Sequence, residues 1–223
     1  MSFQMVHMEV AFRLLEFLPD IENKADYLLG SVAPDSVHMK DDYQLSDKIR
    51  THLFDGCGVW ATTGDYQKWQ SNIIGFWNKN KEKQLSQREM DFVAGICVHV
   101  ITDYENSLIL WDPYRVKYGK DGVVNPDFYQ VYNAEQYAID QWLYQNSPHR
   151  EEIRKLLQDG QGHELDGFLN LKDIEKQKDW MLHHQYADKL KAISNYEYMN
   201  SSIIEDFIQY NVATIRRYMG DTP

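Results

Sequence analysis

Cysteine is almost missing from this chain. Cys57 and Cys97 are the only two in 223 residues, too few for a disulfide framework or a Cys-rich zinc module. Basic charge is also short: Lys and Arg number 23 against 34 Asp and Glu, a formal net charge of −11. No basic stripe is visible, which argues against a nucleic-acid-binding surface. Apolar runs approaching the roughly 18 residues of a membrane span are lacking. The N-terminus has no basic region followed by an apolar stretch; Glu9, Arg13 and Glu16 interrupt its apolar positions and suit an amphipathic helix better than a signal peptide. The expectation is a protein with no transmembrane segment, located in the cytoplasm. Long strand-type alternation, internal repeats and low-complexity tracts are absent as well.

What the chain does have is apolar and aromatic material. Hydrophobic residues make up 43%, with 15 Tyr, 9 Phe and 6 Trp, enough to fill a core and to exclude disorder as the main state. The length suits one compact domain over 1–223. Periodicity predicts an all-α, single-domain multi-helix bundle of about seven to nine helices. Val6, Val10, Leu14, Phe17 and Leu18 form a helical stripe ended by Pro19. Residues 31–47 break the pattern and read as a loop, with a short helix following through His52. Another helix starts near Gly64 and carries Trp69, Ile73, Phe76 and Trp77. Ser86 and Glu89 form a capping box that opens a helix apolar on nearly every side, the pattern of a buried central helix. Residues 112–128, with Pro113, Gly119, Gly122 and Pro126, read as an excursion between helices. Further helices are expected over 131–146, from Ser147-Pro148 to Asp159-Gly160, over 173–194, and from the capping box Ser202-x-x-Glu205 onward.

The chemistry-bearing candidates begin with His99 and Asp103, four residues apart and therefore on one face of the central helix. A buried carboxylate needs a cation or loses its proton, and no Lys or Arg lies between Arg88 and Arg115. Two readings stand: a metal site, or a His–Asp pair in a polar core pocket. His7 sits on or beside the apolar stripe of the first helix, and His52 stands next to Leu53 and Phe54. Each is either a hydrogen-bonded core histidine or a ligand. Asp35, after Pro34 in a small-residue loop, is either turn chemistry or a carboxylate delivered between helices. His38, three residues after Asp35, is an alternative to His52 or a support for it. His149, His163 and His183 fall in polar stretches and read as solvated. Tyr104, Trp111 and Tyr114 are core, or line a pocket beside the site. Two carboxylates and three imidazoles suit zinc, manganese or iron.

In this order, the segments LLGSVAPD (28–35), THLFD (51–55) and GICVHVITD (95–103) resemble the zinc-dependent phospholipase C family, which includes the P1/S1-type nucleases. The similarity covers roughly residues 5–105. It implies an all-α fold with metals between helices, and His7, Asp35, His52, His99 and Asp103 as ligands. Asp35, His52, His99 and Asp103 would hold one ion, and His7 would join a bridging Asp103 at a second. Where the family places a further His, this chain has Ile109, and the family's last ligand pair has only a loose counterpart in His184 and Asp188. The expectation is therefore one or two ions, zinc first, with iron or manganese as alternatives. The resemblance also implies a metal-dependent phosphoric ester hydrolase acting on a small phosphate ester or a phospholipid, with Asp35 as the catalytic residue that helps position the attacking water. Residues 112–200 then read partly as an insertion relative to the family core. The alternative is a non-catalytic all-α binding or structural protein with a structural metal site. An HD-type phosphohydrolase ranks lower, because no His-Asp dipeptide occurs.

Overall fold

The computed structural model describes residues 4–58, 62–120, 123–165, 167–186 and 197–220. Among the described residues ten α-helices follow in order: α1 (Gln4–Leu14), α2 (Lys24–Gly30), α3 (Leu45–Thr51), α4 (Tyr66–Lys81), α5 (Gln87–Glu105), α6 (Asp112–Tyr118), α7 (Pro126–Asn146), α8 (Arg150–Asp159), α9 (Leu171–Trp180) and α10 (Ser201–Gly220). The expected all-α class holds. The one departure from it is a hairpin of two-residue strands, Gly119–Lys120 against Val123–Val124. No helix of the described residues is long and apolar enough to cross a membrane.

Helix α5 is the centre of the fold. Ser86 Oγ accepts from the Glu89 N–H while the Glu89 carboxylate accepts from the Ser86 N–H, so the expected capping box forms. Every residue from Phe92 to Val100 is buried, as its all-round apolar pattern requires. Helices α1, α2, α4 and α10 pack around it. Its approach to α2 is set by two glycines. A methyl group at Gly95 would overlap the Tyr27 carbonyl, and one at Gly30 would overlap the Phe92 carbonyl. Side chains are therefore excluded at this crossing, and the two backbones meet directly.

Several boundaries differ from the sequence reading. Residues 31–47 are not one loop: Ala33–Met39 wind into a 3-10 helix with Pro34 in its first turn, where the missing N–H has no cost. Residues 112–128 are an excursion only in part: the paired strands Gly119–Lys120 and Val123–Val124 lie between helices, but Asp112–Tyr118 are helical. Beyond Glu105 the helix widens into a π-type segment, Asn106–Trp111, and resumes as α6 with Pro113 again in the first turn. Helix α8 begins at Arg150 rather than at Pro148, because Ser147 Oγ accepts from the His149 N–H (3.0 Å) in a turn ahead of it. Helix α10 is capped by Asn200, whose Oδ1 accepts from the N–H groups of Ser202 and Ile203 at 3.0 Å each. Glu205 is not part of a capping box; it pairs with Arg13 of α1. The helix expected over 173–194 spans Leu171–Trp180 and continues as a π-type turn to Gln185; its remainder, from 187, lies outside the described residues.

Helix α1 is gripped by the second half of the chain. Glu9, one of the charged residues among the apolar positions of this helix, is fully buried. It accepts hydrogen bonds from Ser147 Oγ (2.8 Å) and Arg13 Nε (2.9 Å), and meets His149 Nδ1 at 2.7 Å. Asp140 of α7 accepts from the first-turn N–H groups of α1. The Glu135 carboxylate of α7 accepts from three successive N–H groups, those of Glu197, Tyr198 and Met199, and so seats the approach to α10.

The glycine contact makes a two-sided prediction. Gly95→Ala forces α2 and α5 apart and lowers the unfolding free energy by about 1–3 kcal/mol. Gly75→Ala, in α4 where an added methyl meets nothing within 4 Å, raises it by roughly 0.5–1 kcal/mol. Urea melts of the two variants beside wild type check both signs.

Candidate metal centre

Five side chains from four segments converge beside α5. His7 comes from the first turns of α1, Asp35 from the 3-10 helix, His52 from the residue that ends α3, and His99 and Asp103 from α5 itself. All five are buried; Asp35, at 5% exposure, is the one nearest to solvent. These are the five residues the sequence proposed as ligands.

Three of the five are aimed by a neighbour behind them. The glycine crossing brings the Ser31 carbonyl to 2.9 Å from His99 Nδ1. A carbonyl only accepts, so that nitrogen carries the proton and Nε2 presents its lone pair to the cluster. His52 closes α3 because the next residue, Leu53, takes the left-handed conformation at φ 60°. The Phe54 N–H then returns to the Ile49 carbonyl (2.8 Å). Asn72 Nδ2 donates to the Leu53 carbonyl and Trp69 Nε1 to that of His52, at 2.9 Å each. His52 Nδ1 faces Thr51 Oγ1 at 3.1 Å, leaving Nε2 inward. Gln4 Nε2 donates to Asp35 Oδ2 (3.0 Å), which turns Oδ1 to His52.

At the centre, His52 Nε2 lies 3.1 Å from Asp35 Oδ1, 3.3 Å from His99 Nε2 and 3.6 Å from Asp103 Oδ2. His99 Nε2 is 3.7 Å from the same Asp103 oxygen. The other oxygen, Oδ1, lies 3.4 Å from His7 Nε2. The His7 ring stacks on that of His99 with centroids 3.9 Å apart. Two overlapping donor groups result, His7–His99–Asp103 and Asp35–His52–His99, each with its ligand atoms within 4.8 Å of one another.

Burial opposes ionisation of both carboxylates, yet both stay well below the ordinary carboxylate range. For Asp35 the cause is the His52 hydrogen bond, with the charges of His99 and Lys48; for Asp103 it is His7 and then His99. Burial, helped by the adjacent His7, pushes His99 down to about 3. At neutral pH the cluster thus carries ionised carboxylates and a neutral, directed imidazole, the protonation state of a ligand set. The donors fit a divalent transition metal by type: imidazole nitrogen and carboxylate oxygen, with no thiolate. Neither ring nitrogen of the buried His7 makes a hydrogen bond, and a cation between His7 and Asp103 would remove that deficit.

The remaining candidates are sorted by position. His38 Nε2 stands 3.8 Å from Asp35 Oδ1 with its side chain 36% exposed, at the rim rather than in place of His52. His149 and His163 are not solvated: they pair with the buried carboxylates of Glu9 and Asp26, at 2.7 and 3.0 Å. His183 is exposed, 3.8 Å from Asp179. His184 is exposed and stacked on Trp180, and Asp188 lies outside the described residues. Trp111 and Tyr114 join an aromatic cluster with Phe128 and Tyr132. Tyr104 packs on Trp69 and, with Ala94, Cys97 and Ile101, lines a cavity of about 750 Å³. That cavity lies on the face of α5 opposite His99 and Asp103. The sequence reading missed the Ser31 carbonyl, Thr51, Gln4 and Asp140 as supports. A backbone carbonyl has no residue-type signal, and the other three act across the fold or through a neighbour.

The depressed His99 pKa gives a signed prediction for chelator-treated protein. The unfolded chain takes up a proton at this ring near pH 6.5, whereas the folded chain does not until about pH 3. Stability therefore falls as pH drops through that window, by up to about 1.4 kcal/mol per unit from this group. His99→Gln flattens this slope between pH 6.5 and 4, read from urea midpoints at each pH.

No family model matches the chain, and no curated protein or solved structure matches it significantly.

Proposed function

We propose that the protein is a metal-dependent phosphoric ester hydrolase of the phospholipase C type, with zinc, or else iron or manganese, held by His7, Asp35, His52, His99 and Asp103. The observation that carries this reading is the division of the Asp103 carboxylate, one oxygen toward His7 and the other toward His52 and His99, as a bridging ligand requires. When bound, the metal supplies Lewis-acid polarisation of a phosphoryl oxygen and acidification of the attacking water. The chain's own groups do the rest. The Ser31 carbonyl fixes the tautomer of His99, and Gln4 fixes the rotamer of Asp35. Asp35, the most exposed of the five and ionised, orients the attacking water. Substrate arrives on the Asp35–His38 side, where His38 is open to solvent. With a net charge of −11, the protein repels phosphate until a cation reverses the local field. The substrate class is a small phosphate ester, with a phospholipid as the second candidate.

A second reading is favoured by a separate observation. His7, His52, His99 and Asp103 are completely buried, as the ligands of a closed structural metal site in a non-catalytic protein are.

Elemental analysis of untagged wild type and His99→Ala, beside hydrolysis of a p-nitrophenyl phosphodiester, separates the two. The hydrolase reading expects one or two metal equivalents in wild type, their loss in His99→Ala, and a rate lowered about 100-fold or more in Asp35→Asn. Metal whose removal lowers the melting temperature, in a protein that hydrolyses no phosphoester, establishes the structural site. Wild type that carries no metal and takes none up overturns both.

A further inference from the structure

His7 differs from the other four donors in how it is held. It is the cluster's contribution from α1, and it sits in that helix's N-terminal part, where backbone N–H groups have no acceptor within the helix. Those groups are met from across the fold. Asp140 Oδ1, from α7, accepts from the N–H of Met5 at 2.9 Å and of Val6 at 3.3 Å. Its Oδ2 accepts from the Tyr186 hydroxyl at 2.9 Å. Tyr186 is itself fixed, stacked on Tyr144 with centroids 4.1 Å apart, and Gln141 Nε2 donates to the adjacent Gln185 carbonyl at 2.7 Å. Asp140 is fully buried, held by the two amides and the hydroxyl. A carboxylate kept out of water at that cost has a defined geometric effect: it sets where the first turn of α1 lies, and with it His7 against Asp103.

We infer that Asp140 is the positioning residue for His7 and sets the affinity of the cluster for a second metal ion, bound between His7 and Asp103. The inference rests on the metal-centre reading above. It gives α7, within the expected insertion over 112–200, a part in the site: Asp140 seats the half that α5 and its neighbours do not. Asp140 touches neither substrate nor metal; it acts through the backbone of Met5 and Val6.

The test is a calorimetric titration of zinc into chelator-treated full-length protein, read as two separate binding events. In Asp140→Ala the second event weakens about 10- to 100-fold, the range for lost outer-shell support, while the first is unchanged. Asp140→Asn keeps an oxygen for the two amides and restores the second event. Tyr186→Phe removes only the hydroxyl and weakens the second event about 10-fold; it carries the test if Asp140→Ala does not fold. His7→Ala abolishes the second event, and adding Asp140→Ala to it changes nothing more. The inference is overturned if the second event is as tight in Asp140→Ala and Tyr186→Phe as in wild type, or if both events weaken equally. It is also overturned if Asp140→Asn is as damaging as Asp140→Ala, which would assign the effect to charge rather than position. A wild type with a single event overturns this inference and leaves the metal centre standing; a wild type with none overturns the metal centre as well.

Discussion

Two carboxylates, Asp35 and Asp103, are kept ionised almost out of contact with water. Removing a carboxylate from water costs several kcal/mol even after relaxation, so the groups around each one must return that energy in place. A hydrogen bond from His52 and the proximity of His7, His52 and His99 do part of this, with Lys48 acting on Asp35. His99, however, is itself driven toward its neutral form, which limits the positive charge that imidazoles supply. The packing around the cluster follows from that constraint. His99, His52 and Asp35 each have a support behind them, from the glycine crossing of α2 and α5, the left-handed turn at Leu53, and the side chain of Gln4.

The same cost is met differently elsewhere in the molecule. Glu9 is as deeply buried, but Arg13, His149 and Ser147 all reach it directly. Asp26 accepts from the Gln161 N–H and pairs with His163, with Arg88 at 3.7 Å. These carboxylates have guanidinium or backbone partners and tie helices together. Asp35 and Asp103 face the ring nitrogens of the cluster's own histidines instead, among them the lone pair of His99 Nε2. The contrast separates ordinary buried ion pairs from a donor set suited to a cation.

The five donors were legible in the sequence because each is a polar residue set in an apolar context, and the order of their segments carried a family resemblance. Helix α5 was legible for a related reason: an all-round apolar stretch opened by Ser86 and Glu89 has one stable solution. Long-range polar pairing was not legible. His149 and His163 lie in stretches that read as solvated, and each pairs with a buried carboxylate, Glu9 or Asp26, more than 130 residues away. The helix over 112–118 was hidden by Pro113, since a proline in a first turn looks like a breaker until the start of the helix is known. Asn200 was overlooked as a cap because Ser202 and Glu205 imitate a capping box two residues later.

Helix α1 enters the fold early in the chain and is fixed late. Its polar ties run to Asp140, Ser147, His149 and Glu205, separated from their α1 partners by 135, 138, 140 and 192 residues. Contacts of such span form only after most of the loop entropy between them has been overcome. During synthesis, α2, α4 and α5 can pack while α1 still lacks every one of these anchors. Asp35, His52, His99 and Asp103 all lie within the first 103 residues, whereas the Asp140 tie that seats the first turn of α1 cannot form before α7 is made. The most N-terminal residue of the cluster thus depends for its seat on α7, a helix made after the other four donors.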